Sequence, residues 1–272
     1  MGLVLDKIVF CPPPPSYTAK SFPSEFCVMG GVPCLCLASN SLASKVVIYC
    51  HGNAVDLGQK RKYLCRLRDY LGMHVFAVEY PGYGLNYGKP TEDSVYDAVR
   101  RVYSHAISKL NWTFESIIIM GRSIGSCPAI LLASRYKVGA LILISAFTKI
   151  QEIMQSRIGF AFEPSSDDFD NLKRISKVNC PILLIHGAAD KLVPLQHSLD
   201  LYNACSQQND SKKEICIFDN VGHNEFDWHK VHSVIDEFFA KVNVSEDYLP
   251  SPSPREFFGG VCCDDDELMY CT

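Results

Sequence analysis

Long apolar runs are missing from this chain of 272 residues. No stretch approaches the ~18 consecutive apolar residues of a membrane-spanning helix. A basic surplus is missing too. The formal charge is −4; seven acids against Arg255 put −6 on residues 244–272 and leave +2 on the rest. So even a balance offers no electrostatic footprint for nucleic acid, and none is expected as a partner. The opening MGLVLDKIVF has no basic leader and breaks its apolar run at Asp6, so it does not read as a secretory signal. The same Asp6 stands where a myristoylation pattern requires Ser or Thr. Thirteen cysteines are odd in number and scattered, several of them (Cys50, Cys180, Cys216) in or beside apolar runs. That usage fits reduced, buried thiols in a cytoplasmic protein rather than a disulfide framework. His229 and His232 share a helix face, but no third ligand stands at metal spacing. Neither a metal nor an organic cofactor is expected.

What the chain does contain is strand and helix signals in alternation. After an extended polyproline lead-in, CPPPPSY at 11–17, strand-like runs fall at 25–30, 32–39, 45–52, 74–80, 116–121, 140–147, 181–187 and 214–219. Helical patterns lie at about 56–71, 92–110, 124–136, 194–206 and 226–241. Continuous rather than alternating Ile/Leu/Val runs mark strands covered on both faces, hence a mostly parallel α/β sheet flanked by helices. Residues 1–17 read as lead-in, 18–243 as one domain, and 244–272, with SPSP and DDDE, as an acidic tail too poor in apolar residues to pack. Only a small cap is expected, at about 147–179. Within it Ile150, Ile153, Met154 and Ile158 repeat at helical spacing, either as the border of an acyl groove or as a face packed onto the domain.

The most informative stretch is SIIIMGRSIGSCPAILLASRY, where a strand enters a helix through Gly121-Arg122-Ser123-Ile124-Gly125. G-x-S-x-G in that setting is the nucleophile elbow, whose serine is held in a strained conformation above the sheet edge while close backbone contacts exclude a Cβ on either side. An alcohol is a weak nucleophile at neutral pH, so Ser123 needs a base and the base needs an orienting acid. The chain order in this fold is Ser, acid, His. Asp190 follows the strand at 181–187 and His223 follows the last strand, which makes Ser123, Asp190 and His223 the candidate triad. Asp219 is the runner-up acid; Asp167, Asp168 and Asp170 fall in a polar insert, and His186 reads as structural. The loop HGNAVDLG after the strand at 45–50 supplies the second oxyanion donor, assigned with its partner to the backbone N–H groups of Asn53 and Ile124. His51 is expected to hold that loop and YPGYG, at 80–84, to turn beside the site.

HGNAVDLGQ, YPGYG, GRSIGS, LASRY, IHGAAD and GHN, in that order, resemble the alpha/beta hydrolase domain-containing protein 17 family. The resemblance spans about residues 8–242. It implies an α/β-hydrolase fold and a serine hydrolase that removes palmitate from cytosolic proteins, with Ser123, Asp190 and His223 as its triad. Two departures stand out. The family's N-terminal cysteine cluster, itself palmitoylated, is represented here by Cys11 alone, and its usual elbow glutamine is Arg122. The acidic tail with Cys262, Cys263 and Cys271 has no family counterpart, and whether Cys11 or these cysteines carry lipid is left open.

The expected activity is hydrolysis of fatty-acyl thioesters on S-acylated proteins through an acyl-enzyme, by a cytoplasmic monomer. Peripheral membrane contact through Lys60, Arg61, Lys62, Arg66 and Arg68 is kept open against the plainer reading of a solvated helix face. The alternatives are a carboxylesterase or lipase acting on oxygen esters, and an inactive hydrolase fold used as a binding scaffold.

Overall fold

A computed structural model describes residues 9–40, 43–158, 169–206 and 212–242, the last four residues of the second span by backbone only. Eight strands form one sheet: β1 (Phe26–Met29), β2 (Val32–Leu37), β3 (Val46–Cys50), β4 (His74–Val78), β5 (Ile117–Arg122), β6 (Ala140–Ile144), β7 (Ile182–Gly187) and β8 (Lys213–Phe218). Their order is β1-β2-β4-β3-β5-β6-β7-β8. Only β2 runs against its neighbours; from β4 to β8 every pairing is parallel. Each of the eight strand-like runs in the sequence becomes a strand of this sheet.

The continuous aliphatic runs belong to β3, β4, β5, β6 and β7, which are buried at every position. Side chains alternate between the two faces of a strand. Ile48 and Cys50 therefore join one core with Ile119 and Leu143, while Val47 and Tyr49 join a second with Ile118 and Ile142. Helices α1 (Leu57–Leu71) and α7 (Trp228–Lys241) close the second core through Leu57, Leu64, Leu67, Val231, Ile235 and Phe238. Helices α2 (Glu92–Ser108), α3 (Ser126–Arg135), α4 (Ile150–Ile158), α5 (Asn171–Ile175) and α6 (Gln196–Ala204) close the first. Burying an aliphatic side chain is worth roughly 1.5–3 kcal/mol, so two covered faces account for most of the stabilisation.

One expectation changes, and one open alternative is decided. Cys27 and Cys36 are joined in a disulfide, whereas Cys34, Cys50, Cys65, Cys127, Cys180, Cys205 and Cys216 are in none. The antiparallel β1–β2 hairpin brings the pair to a Cα–Cα distance of 6.3 Å, a proximity that linear spacing does not reveal. In the cap, Ile150, Ile153 and Met154 are buried in the first core with Phe10, Phe147 and Phe169. The described part of that strip is a packing face rather than the wall of a groove. The side chain of Ile158 lies outside the described residues, as do Asp167, Asp168 and the tail.

Candidate active site

The C-terminal ends of β3, β5, β7 and β8 lie on one edge of the sheet, with β6 between β5 and β7, because parallel strands deliver their following loops to the same edge. β5 passes into α3 through a 3-10 turn, Ser123–Gly125. Ser123 has φ +54°, the left-handed region that side chains avoid at a cost of order 1–3 kcal/mol. The flanking glycines make the corner possible. A Cβ on Gly121 would lie 2.5 Å from the Gly125 carbonyl oxygen and 2.8 Å from Ala129 Cβ. One on Gly125 would overlap the Cys50 carbonyl oxygen and lie 2.6 Å from that of His51. Pro128, the third residue of α3, loses no helical bond because the first N–H groups of a helix have no acceptor within it.

Asp190 lies in the tight turn after β7, its N–H donating to the Gly187 carbonyl at 3.1 Å. His223 lies in the loop after β8. His223 Nδ1 is 2.6 Å from Asp190 Oδ2, and His223 Nε2 is 3.1 Å from Ser123 Oγ. Three residues spread over a hundred positions thus form one continuous hydrogen-bonded chain. Asp190 Oδ1 also accepts from the Leu192 and Val193 amides, both at 2.8 Å. Burial pushes the Asp190 carboxyl up, but the His223 hydrogen bond and those amides outweigh it and hold it below the ordinary aspartate value. It stays an anion facing the imidazole. The runner-up, Asp219, is exposed; Asp170 caps α5 by accepting from the Lys173 amide at 2.9 Å.

His186 sits behind the acid, fully buried, with Nδ1 2.6 Å from Ser198 Oγ and Nε2 2.8 Å from the Val193 carbonyl. Burial lowers its affinity for a proton, so Nε2–H donates to Val193 while Nδ1 accepts from Ser198. A neutral His186 braces the Asp190 turn. His232 packs against Tyr70 and Tyr63, and no cluster of three metal-ligating side chains occurs among the described residues.

The loop after β3 lies against the elbow: a Cβ on Gly52 would stand 3.7 Å from Ser123 Cβ. Asn53 is the next residue, and Ile124 directly follows the serine in the 3-10 turn. His51 is fully buried and stacked on Tyr80 at 3.9 Å, with Nδ1 2.8 Å from the Gly52 carbonyl and Nε2 3.2 Å from Glu79 Oε1. It holds the loop, as its sequence position suggests.

Three features escaped the sequence reading. Arg122 is buried and donates from Nη2 to the His223 carbonyl and to Asn224 Oδ1, tying the elbow to the histidine loop. Glu79, fully buried, accepts from Tyr17 Oη at 2.8 Å and from the Leu57 amide at 3.1 Å. The backbone of residues 9 and 11 is bonded to the Asn53 side chain. Proline spacing signals an extended segment, but nothing in it signals where that segment docks. A separate cavity of about 390 Å³, lined by Phe114, Arg135, Tyr136, Lys137, Lys177 and Cys180 among others, lies at the opposite edge of the sheet and shares no residue with this site.

Comparison with known proteins bears on the family and the fold. The profile of the Prolyl oligopeptidase family matches residues 83–243, more than half of the chain. Human alpha/beta hydrolase domain-containing protein 17B is 28% identical over 255 residues, covering 82% of this chain and 86% of that protein. Protein 17C of Xenopus tropicalis is 33% identical over 183 residues, covering 66% of this chain and 56% of its own. Among solved structures, the esterase Pf2001 of Pyrococcus furiosus superposes with a TM-score of 0.66 at 17% identity, over 85% of this chain and 99% of its own. That likeness speaks for the fold, an α/β-hydrolase. The chain belongs to the Prolyl oligopeptidase family, as one of the relatives of alpha/beta hydrolase domain-containing protein 17, and has a serine-hydrolase-type function.

Proposed function

We propose that the protein hydrolyses fatty-acyl thioesters on S-acylated proteins through an acyl-enzyme on Ser123. The observation that carries the hydrolytic part is the hydrogen-bonded chain Ser123–His223–Asp190, with the imidazole 3.1 Å from the hydroxyl. Ser123 Oγ attacks the thioester carbonyl carbon as His223 Nε2 takes its proton. Asp190 stabilises the imidazolium, and the Asn53 and Ile124 amides receive the developing oxyanion. The tetrahedral intermediate collapses with loss of the substrate cysteine thiolate, to which His223 returns the proton. Water, deprotonated by the same imidazole, then attacks the acyl-serine ester, and His223 passes the proton to Ser123 Oγ as the acyl–oxygen bond breaks and the fatty acid leaves.

The thioester preference rests on the run of motifs shared with the protein 17 relatives and on a small cap, which suits an acyl chain attached to a bulky protein. Membrane contact along α1 has fewer charges available than the sequence suggests. Arg61 is bonded to Glu25 through two nitrogens and Arg68 to Asp69, while Lys62 and Arg66 remain exposed.

The test is a comparison of kcat/KM on an S-palmitoylated peptide, its O-palmitoyl serine counterpart, a monoacylglycerol and a prolyl peptide amide. Preference for the thioester supports the reading. Preference for oxygen esters would make the protein an esterase or lipase, preference for the amide a peptidase, and no turnover on any a scaffold.

A further inference from the structure

The polyproline lead-in has no part in the chemistry above, yet its two ends are bonded to the two loops that frame the site. At one end, Asn53 Nδ2 donates to the Val9 carbonyl at 2.5 Å, and the Cys11 amide donates to Asn53 Oδ1 at 2.9 Å. Tyr83 Oη joins them, donating to Asn53 Oδ1 at 2.6 Å and standing 3.1 Å from the Cys11 amide. Val9 and Phe10 are buried in the first core, and the Phe10 ring meets Phe169 of the cap at 5.8 Å. At the other end, Ser16 gives Asp56 two hydrogen bonds, from its amide at 2.6 Å and its hydroxyl at 2.5 Å, and Tyr17 Oη donates to buried Glu79 at 2.8 Å.

The docking surface is cut to fit. A Cβ on Gly58, in the first turn of α1, would lie 2.8 Å from Tyr17 Cδ1 and 3.0 Å from Tyr17 Cβ. A glycine there costs the helix roughly 0.5–1 kcal/mol relative to alanine, and the strap is what needs the space. Between the anchors lie Pro12–Pro15, and a run of prolines favours an extended path of about 3.1 Å per residue with little conformational freedom to lose, which ties the position of Cys11 to the fixed end at Ser16 and Tyr17.

We infer that residues 9–17 are a clasp on the oxyanion loop, and that the Asn53 side chain is a positioning group through which the clasp aims the Asn53 amide at the reacting carbonyl. The inference rests on the oxyanion role proposed above. Asn53 is followed by Ala54 at φ +57°, and the Ala54 amide also donates to Asn53 Oδ1 at 2.9 Å. One side-chain oxygen therefore organises the local turn and receives the strap. Because a transition-state oxyanion is sensitive to sub-ångström placement of its donors, loosening the clasp acts on kcat rather than on substrate affinity.

Two variants of the full chain test this. Cys11→Pro removes the strap's N–H donor and leaves Asn53 intact; Asn53→Ala removes the other side of the same contact. Each is expected to lower kcat on the palmitoyl thioester by about tenfold to a hundredfold, short of the ~10²–10³ that outright loss of an oxyanion donor brings. KM stays within about twofold, and binding of a trifluoromethyl ketone, which forms a hemiketal oxyanion on the serine, weakens in step with kcat/KM. The double variant is no worse than Asn53→Ala alone, because the Cys11–Asn53 contact that Cys11→Pro removes is already lost there. Tyr83→Phe replaces Asn53→Ala should the latter unfold. Wild-type kcat in Cys11→Pro, or losses that multiply in the double variant, would overturn the inference. A wild-type chain that turns over no ester or thioester would instead defeat the hydrolase reading itself.

Discussion

Arg122 reaches from the residue before Ser123 to the residue that serves it, donating to the His223 main-chain carbonyl at 2.9 Å and to Asn224 Oδ1 at 2.7 Å. Its guanidinium also lies over the Trp228 ring at 5.7 Å. Nucleophile and imidazole are thereby referenced to a single side chain. Arg122→Met removes a charged donor from a partly buried carbonyl and is expected to cost about 1–2 kcal/mol of stability. With the histidine loop unpinned, kcat falls at nearly constant KM. Arg122→Gln, the glutamine of the protein 17 pattern, keeps a donor and should recover part of both. Urea denaturation with steady-state kinetics checks all three statements.

Asp190→Asn keeps the shape of the turn but removes the anion that orients and stabilises the imidazolium. A loss in kcat of about 10⁴ is expected, the size found for the equivalent change in a serine protease triad. Thermal stability should change far less than activity. A kcat within tenfold of wild type would assign the orienting role elsewhere.

Gly125→Ala drives a methyl group into the Cys50 and His51 carbonyl oxygens, both main-chain atoms with no freedom to withdraw. The elbow must shift, and we expect a loss of about 2 kcal/mol or more together with most of the activity, in line with overpacking of a tight site. Ala introduced at Gly139, whose Cβ would meet the Glu115 carbonyl, should destabilise without a specific loss of kcat per folded molecule. The pair separates strain at the elbow from strain elsewhere.

Buried His74 and His232 contribute to the loss of stability in mild acid. Burial lowers both to about 4, and for His232 the neighbouring His229 adds to the effect. In the unfolded chain these imidazoles titrate near 6.5, so between about 6.5 and 4 the unfolded state binds the more protons and stability must rise with pH. The folded state therefore weakens on acidification through that window, by on the order of 2 kcal/mol per imidazole. Denaturation curves at pH 7 and pH 4.5 measure the loss, and His232→Phe should reduce it.

Much of this was legible in the chain itself. The five central strands announced themselves because burial on both faces requires unbroken aliphatic runs, and the elbow did so because its sterics demand glycine at two fixed positions. The order Ser123, Asp190, His223 followed from where each falls after a strand. Other relations left no trace, for physical reasons. The strap is held through the Val9 carbonyl and the Cys11 amide, groups that almost every residue carries, so no side-chain pattern marks the contact. The Arg122–His223 bond spans 101 positions, and Cys27 meets Cys36 only through hairpin register. The apolar strip of the cap has the same periodicity whether it lines a groove or packs; only the placement of Phe10 and Phe169 beside it decides the matter.

The most direct test of the account is to quench the enzyme during turnover of a palmitoyl thioester and map the acyl group by mass spectrometry of its peptides. We predict a base-labile acyl ester on Ser123 that forms at the rate of substrate cleavage and is absent from Ser123→Ala, which turns over no substrate. Cleavage that persists in Ser123→Ala, or an acyl group found only on a cysteine, would contradict it.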